Sequence, residues 1–375
     1  MQHISLLANN SDSSTRGNLT FPIRRRNFFS GSITVDNTLA ALDLAECQDK
    51  WRANEPILLQ GMVKENLSDF TQDIIKARAL YQAVLDNKDI DAILATEEYE
   101  SHLMPDFELL AARIDAGDEQ EICSIDFDTH IDGEIIEDIW MRVSWLSFDE
   151  TDQSLRFRFS FGMEGFEDVS EDLQRQQLAA LLEEKIFPES AILTENNTLN
   201  KKLASIIGCD NFQYLERIVY YNAPNGGAQF HHDAEKGHLG VVYAQVTGST
   251  FWFALSKQTL VKEIKAFLSE EKNYQQFTSD LQEENLDITV LEKFSDTSFI
   301  EQALNDLFHP ELMLLLNQNK AFFAHLVQGG FGYYLQAGDI ILLPQESMTA
   351  CAWHSVFCVG EEAGEALSFA VKAFE

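Results

Sequence analysis

The sequence predicts an α+β chain: an α-rich N-terminal region over about residues 1–135, then a β-barrel domain over 136–375 that a helical insertion interrupts at about 258–330. Three patterns predict this. Phe70–Val84 carries apolar residues at helical spacing. Ile139–Phe161 alternates instead, with Trp140, Val143 and Trp145, then Leu155, Phe157, Phe159 and Phe161, separated by Asp149-Glu150-Thr151-Asp152 in the manner of a β-hairpin. Further on, strand-like segments lie on both sides of a long, charged, helical stretch.

Taken in order, residues 1–20 hold the polar run Asn9-Asn10-Ser11-Asp12-Ser13-Ser14 and predict little structure. Residues 37–120 read as mostly helical, with Pro105–Ala116 as a further helix. After the hairpin, Glu171–Lys185 predicts an amphipathic helix stopped by Pro188. Tyr214–Lys257 is strand-rich: Ile218-Val219-Tyr220-Tyr221 is β-branched and aromatic, Pro224-Asn225-Gly226-Gly227 is a turn, Gly240–Gly248 is apolar, and Phe251 and Phe253 alternate within Thr250–Leu255. Thr259–Asn317 returns to helical patterns. Tyr333–Leu343, with Ala337-Gly338-Asp339 as a turn, then Val356–Val359 and Leu367–Phe374, close the chain as strands. A long insertion between barrel strands commonly covers a site.

Composition narrows the function. The formal charge is −34, from 61 acidic and 27 basic residues, so a phosphate backbone is repelled and nucleic acid is excluded as a partner. Arg24-Arg25-Arg26 is the one basic cluster, too small for a nucleic-acid patch. The five cysteines are odd in number and form no Cys-x-x-Cys, which fits a reducing, cytoplasmic compartment rather than a disulfide framework. The first 30 residues lack the apolar core of a signal peptide. No apolar run approaches the roughly 18 residues of a membrane span.

The chemistry is carried by Gln229-Phe230-His231-His232-Asp233 and by Ala352-Trp353-His354. In a strand, residues i and i+2 share a face, so His231 and Asp233 project together while His232 points away. A slip by one residue would turn His232 and Ala234 inward and flip every neighbour. His354 follows the buried strand Gly338-Asp339-Ile340-Ile341-Leu342-Leu343-Pro344. Each residue alone is unremarked, since a lone histidine is more often packed than ligating. Together they can make a facial set of two imidazoles and one carboxylate, which binds Fe(II) and leaves positions open for oxygen chemistry. Trp252, Phe253, Trp353 and Tyr221 can wall such a site, or simply pack a core.

Beyond the triad, Val219-Tyr220-Tyr221 through Gly226-Gly227-Ala228-Gln229-Phe230-His231-His232-Asp233 resembles the metal-binding strand of JmjC-type (cupin-like) and prolyl-hydroxylase-type Fe(II)/2-oxoglutarate oxygenases. Val242–Trp252 is similar to the strand pair that follows it there, and Gly338–Pro344 with Trp353-His354-Ser355-Val356 resembles the distal-histidine motif. The resemblance covers about residues 214–257 and 333–374. It implies a double-stranded β-helix of jelly-roll or cupin-like form, with iron on His231, Asp233 and His354. It further implies 2-oxoglutarate and O2 as co-substrates, and hydroxylation or other oxidation of an unactivated C–H bond in a small organic substrate or a protein.

One part of that pattern is missing. The family holds the far carboxylate of 2-oxoglutarate with a buried Arg or Lys, on the last strand in the prolyl-hydroxylase type. Here Ser355–Ser368 contains no base, and Thr250 stands where the JmjC-type pattern places one. Lys372, Arg217 and Lys257 remain as candidate cations, with Thr250, Tyr221, Tyr220 and Ser368 as neutral donors. Two other readings follow: an iron oxygenase whose substrate itself chelates the metal without 2-oxoglutarate, and a cupin-type barrel that binds a ligand without redox chemistry. The helical parts offer a homodimer surface.

Overall fold

A computed structural model describes residues 18–25, 29–36, 42–113, 121–131, 134–147, 151–162, 172–235, 237–305 and 309–374. The polar run at 9–14 and Arg26 lie outside them. Strands β1 (Asn18–Arg25) and β2 (Phe29–Asp36) form a separate antiparallel hairpin. Helix α1 (Leu44–Arg52), β3 (Ile57–Leu59), α2 (Thr71–Leu85), α3 (Ile90–Leu94) and α4 (Glu97–Leu103) follow. Next comes an antiparallel meander of β4 (Phe107–Arg113), β5 (Glu121–Ile131), β6 (Glu134–Trp145) and β7 (Leu155–Phe161).

Helices α5 (Leu173–Ile186), α6 (Ala191–Thr194) and α7 (Asn197–Ile207) lead into β8 (Phe212–Asn222), β9 (His238–Gln245) and β10 (Ser249–Ser256). Between β10 and the next strand lie α8 (Lys257–Ser269), α9 (Glu271–Glu283), α10 (Thr297–Asn305), α11 (Pro310–Gln318) and α12 (Lys320–Gln328). The chain closes with β11 (Gly332–Gln336), β12 (Ile340–Ser347), β13 (Ala350–Val359) and β14 (Gly364–Ala373). The hairpin expected over Ile139–Phe161 is β6 with β7, in register from Ile139↔Phe161 to Trp145↔Leu155.

Pro105–Ala116 is not the expected helix. Its centre is β4, paired with β5 from Phe107↔Thr129 to Arg113↔Ser124. Leu109-Leu110-Ala111-Ala112 has the local propensity of a helix, but Phe107, buried at 1% exposure, packs edge-on against Phe127 at 6.4 Å and ties the segment to the sheet. With β1 to β5 all inside it, the region 1–135 is mixed rather than mostly helical.

The strands from β3 onward form one large antiparallel sheet in the order β11-β10-β13-β12-β9-β14-β8-β7-β6-β5-β4, with β3 on β12. Side-chain alternation makes three apolar layers of it. Val219 and Tyr221 of β8, Phe157 and Phe159 of β7, and Leu367 and Phe369 of β14 face outward under the N-terminal helices. Phe251, Phe253 and Leu255 of β10 face the α8–α12 insertion and the β1–β2 hairpin. Residues of the opposite parity meet between the two halves: Val241 and Tyr243 of β9 and Leu343 of β12 against Trp252 and Ala254 of β10 and Val356 of β13. The sheet thus folds back over its own interior, an α+β arrangement compatible with a jelly-roll sandwich.

The outer layer holds a buried carboxyl pair. Glu189, fully buried, lies against Glu365, at 1% exposure, and Tyr221 Oη donates to Glu365 Oε2 at 3.4 Å. Burial pushes the Glu365 carboxyl up to about 7, and burial together with the Glu365 charge raises that of Glu189. The folded chain keeps a proton that the unfolded chain releases above pH 4.5. The stabilisation is therefore complete below that pH and is lost as pH rises through about 7. Thermal unfolding of the metal-free protein between pH 4.5 and pH 8 is expected to show falling stability, and Glu189→Gln is expected to flatten the profile; a Glu189→Gln profile as steep as wild type would contradict it.

Candidate metal centre

β13 supplies one half of the site. His354 is opposite Ala254 of β10 in the ladder, is 3% exposed, and its ring lies on that of Trp252 at 5.3 Å. The other half comes from the segment after β8. The chain turns at Pro224-Asn225, with Asn225 at φ 66°, and then runs through Gly226–Asp233 without regular strand structure. The expected ligand-bearing strand is therefore absent; its place is taken by an isolated bridge. His231 N donates to His354 O and His354 N to His231 O, each at 2.9 Å. Behind the bridge, Ala228 N donates to Val356 O at 3.0 Å and Val356 N to Ala228 O at 2.9 Å. These bonds, with Cys358 N donating to Gly226 O at 3.1 Å, hold the segment in place of a continuous ladder.

This pairing brings the three predicted residues together. One ligand atom each from His231, Asp233 and His354 lies within 4.8 Å of the others. His231 Nε2 is 3.4 Å from Asp233 Oδ1, and His354 Nε2 is 3.4 Å from Asp233 Oδ2. His231 Nδ1 lies 2.7 Å from Gln229 O, a contact that places the proton on Nδ1 and leaves Nε2 as the free donor atom. His232 points away, its ring against Trp353 at 5.3 Å, so the register with His231 inward is the one adopted.

Burial pushes the His354 imidazole down to about 3, aided by the neighbouring His231, so it is neutral at pH 7. For Asp233, burial opposes ionisation but the imidazoles of His354 and His231 outweigh it and hold the carboxyl below its usual range. For His231, burial pulls downward and the Asp233 carboxylate raises it by more. Two imidazoles and an ionised carboxylate converging from two backbone segments are a donor set that fits a divalent transition ion.

The triad opens onto a cavity of about 590 Å³. Trp252, Val241, Leu343 and Val356 make its apolar wall, while Tyr220, Asn222, Tyr243 and Ser368 supply polar groups. Asn222 Nδ2 donates to Tyr243 Oη at 2.9 Å, and Tyr243 Oη to Gln245 Oε1 at 3.2 Å.

None of the expected cations lines this cavity. Arg217 faces α5, where Nη1 pairs with Glu183 at 3.1 Å and Glu184 at 2.6 Å. Lys257 Nζ donates to Asn305 Oδ1 at 2.5 Å and Met348 O at 3.0 Å. Lys372 lies beside Gly237, where an added Cβ would meet its Cε at 3.1 Å. Thr250 sits behind the wall, donating to Gln245 Oε1 and accepting from Trp252 Nε1, both at 2.8 Å. Tyr221 has the outward parity of β8 and stacks on Tyr81 at 4.6 Å; its neighbour Tyr220 faces the cavity instead.

Sequence reasoning missed the cations that do line it, Arg156 and Arg158. Their signal was present: Leu155, Phe157 and Phe159 face the core, so the residues between them must face the other way. Arg156 Nε donates to Ser144 Oγ at 3.2 Å, and the two strand partners of these arginines, Tyr220 and Ile218, also line the cavity. On the same wall, Glu216 Oε1 is 3.0 Å from His238 Nε2, at a bulge of β8 where Glu216 has φ 47°.

No family model matches this chain, and no curated protein matches it. Solved structures do. YcfD, a ribosomal oxygenase from Escherichia coli, is similar over 68% of this chain and 41% of that one, at 12% identity and a TM-score of 0.25. The YcfD structure with cobalt and succinic acid gives 69%, 41%, 11% and 0.24. An oxidoreductase of the 2OG-Fe(II) oxygenase family from Burkholderia pseudomallei is similar over 89% of this chain and 93% of that one, at 9% identity and a TM-score of 0.31. The match spans about two fifths of the YcfD chain. These neighbours are oxygenases by name.

The segment's backbone can be tested directly. Gly227 has φ 130°, and a Cβ there would lie 2.0 Å from Val356 O. Gly227→Ala must push the segment off β13 and is expected to weaken Co(II) binding at least about tenfold, the scale on which metal sites respond to loss of their supporting contacts. Anaerobic Co(II) titration checks this; an unchanged dissociation constant would show that the Ala228–Val356 pairing does not set the site.

Proposed function

We propose that this chain is an Fe(II)-dependent oxygenase that uses 2-oxoglutarate and O2 to oxidise an unactivated C–H bond of a small organic substrate. The observation that carries the reading is the His231–Asp233–His354 triad, gathered from two segments at the wall of a 590 Å³ cavity. In this reading the folded-back sheet is a double-stranded β-helix. His231, Asp233 and His354 would hold Fe(II), which would supply the oxidising chemistry.

The chain's own residues do the rest. Arg156 and Arg158 bind the carboxylate of the oxoacid by charge-assisted hydrogen bonds, with Tyr220, Asn222 and Ser368 as further donors on the same wall. This assigns the anchoring role to β7 in place of Lys372, Arg217 and Lys257. Trp252 backs the His354 ring and fixes its plane. Val241, Leu343, Val356 and Trp252 keep the reacting groups away from bulk water.

Anaerobic addition of Fe(II) and 2-oxoglutarate together is expected to give a visible metal-to-ligand charge-transfer band that neither gives alone. Iron binding without that band would refute the use of 2-oxoglutarate. Arg156→Met or Arg158→Met is expected to raise the 2-oxoglutarate concentration at half-maximal band by roughly tenfold or more, the loss of one hydrogen bond to a charged group. Oxygen uptake that needs no 2-oxoglutarate would instead give the open positions to a chelating substrate.

A further inference from the structure

We infer that Arg25, at the end of the N-terminal hairpin, is a positioning residue for the metal triad, an inference that rests on the metal reading above. The residues that carry His231 have few backbone bonds of their own: outside the pairings at Gly226, Ala228 and His231 they form no ladder. Arg25 fills that gap from a distant part of the chain. It is 1% exposed. Nη1 donates to Ala228 O at 2.7 Å and also to Ser355 Oγ, the side chain next to His354. Ser355 Oγ in turn donates to Ala228 O at 3.1 Å. Nη2 donates to Asn317 O and Asn317 Oδ1, both at 3.1 Å.

Asn317 completes the clasp. Its Oδ1 also accepts from Phe230 N at 2.8 Å, the amide just before His231. One guanidinium and one carboxamide, from β1 and α11, thus grip the carbonyl of Ala228 and the amide of Phe230 while holding the neighbour of His354. The guanidinium plane is further fixed over the Phe357 ring, 4.5 Å from its centroid, and Phe357 belongs to the same strand as His354. A planar fork with several donors suits this task, whereas a lysine can reach only part of the set. The hairpin and the helical insertion therefore converge on the two segments that bear the ligands, and the side chain where they meet is Arg25.

The test is anaerobic Co(II) titration of the full chain, read by visible absorption, alongside the melting temperature of the metal-free protein. Arg25→Met keeps much of the side chain's bulk and loses the fork. It is expected to weaken Co(II) binding by about 10- to 100-fold, the range for partners that orient metal ligands. Ile33→Ala, a cavity in the same hairpin at a residue that pairs with Phe21 in the ladder, is expected to lower the melting temperature and leave Co(II) affinity at the wild-type value. Should Arg25→Met fail to fold, Asn317→Ala decides: weaker Co(II) binding supports the clasp and unchanged binding overturns it. Equal Co(II) affinity in wild type and folded Arg25→Met overturns the positioning role alone. A wild-type protein that binds no Co(II) overturns the metal reading and this inference with it.

Discussion

Two reciprocal backbone hydrogen bonds, between His231 and His354, set the geometry on which the rest of the site depends. They fix two residues remote in sequence as an antiparallel pair, so their imidazoles leave the backbone side by side, with ring centroids 4.1 Å apart. Asp233 then falls within reach of both. A continuous strand would give the same register with more bonds, but it would also hold every residue of the segment to strict alternation. The irregular segment keeps its pairings at Gly226, Ala228 and His231 and frees the residues between and beyond them to bend, which lets Asp233 place one oxygen toward each imidazole. The cost is that so short a pairing resists displacement weakly, and outside contacts must supply what the ladder lacks.

Those contacts come from layers that share no other purpose. The β1–β2 hairpin and the α8–α12 insertion bury their apolar faces against the outer side of β10 and β13 through Phe29, Phe253, Phe323 and Phe357. Phe323 stacks on Phe253 at 4.9 Å and Phe29 meets Phe323 at a tilt, with centroids 4.6 Å apart, so the three elements share one aromatic cluster. On the opposite side, Trp252 and Val356 present the inner parity of the same two strands to the cavity. Each residue step along β10 and β13 thus alternates between rigid backing and working surface, and the rigidity of one side is what makes the other side a defined site.

Much of this was legible in the sequence, for physical reasons. The triad could be read because its signature is compositional: residue types with ligand atoms at i and i+2, plus a histidine beside Trp353 after an apolar run. The β6–β7 hairpin could be read because Leu155, Phe157, Phe159 and Phe161 alternate cleanly. β4 could not, since Leu109-Leu110-Ala111-Ala112 matches a helix locally and only its pairing with β5 decides otherwise. The cations that line the cavity were hidden for a different reason. Lys372 shares strand parity with Ser368 and Ala370, and Arg217 directly precedes Ile218–Tyr221, but a cation's place in a cavity depends on which strands lie side by side. The adjacency of β7 and β8 brings Arg156 opposite Tyr220 and Arg158 opposite Ile218, and no spacing rule within the motif encodes it. Arg25 is hidden in the same way, as a basic residue in a basic triplet whose partners lie up to 330 positions away.

The charge of the chain sharpens the role of the β7 arginines. A protein with net charge −34 repels a dicarboxylate at long range, and Asp233, Glu216 and Glu235 add negative charge at the cavity itself. At physiological ionic strength charges are screened beyond about 8 Å, so the remote acidic surface contributes little inside the cavity and the nearest groups decide. There the distribution is uneven. Glu216 and Glu235 place two carboxyl groups beside the β8 bulge, with His238 3.0 Å from Glu216. Arg156 and Arg158 stand on the adjoining strand and are the cations among the cavity-lining residues. An anion entering this cavity is therefore drawn to β7 and kept off the β8 bulge, and a metal on the triad would strengthen the same pull at the other end.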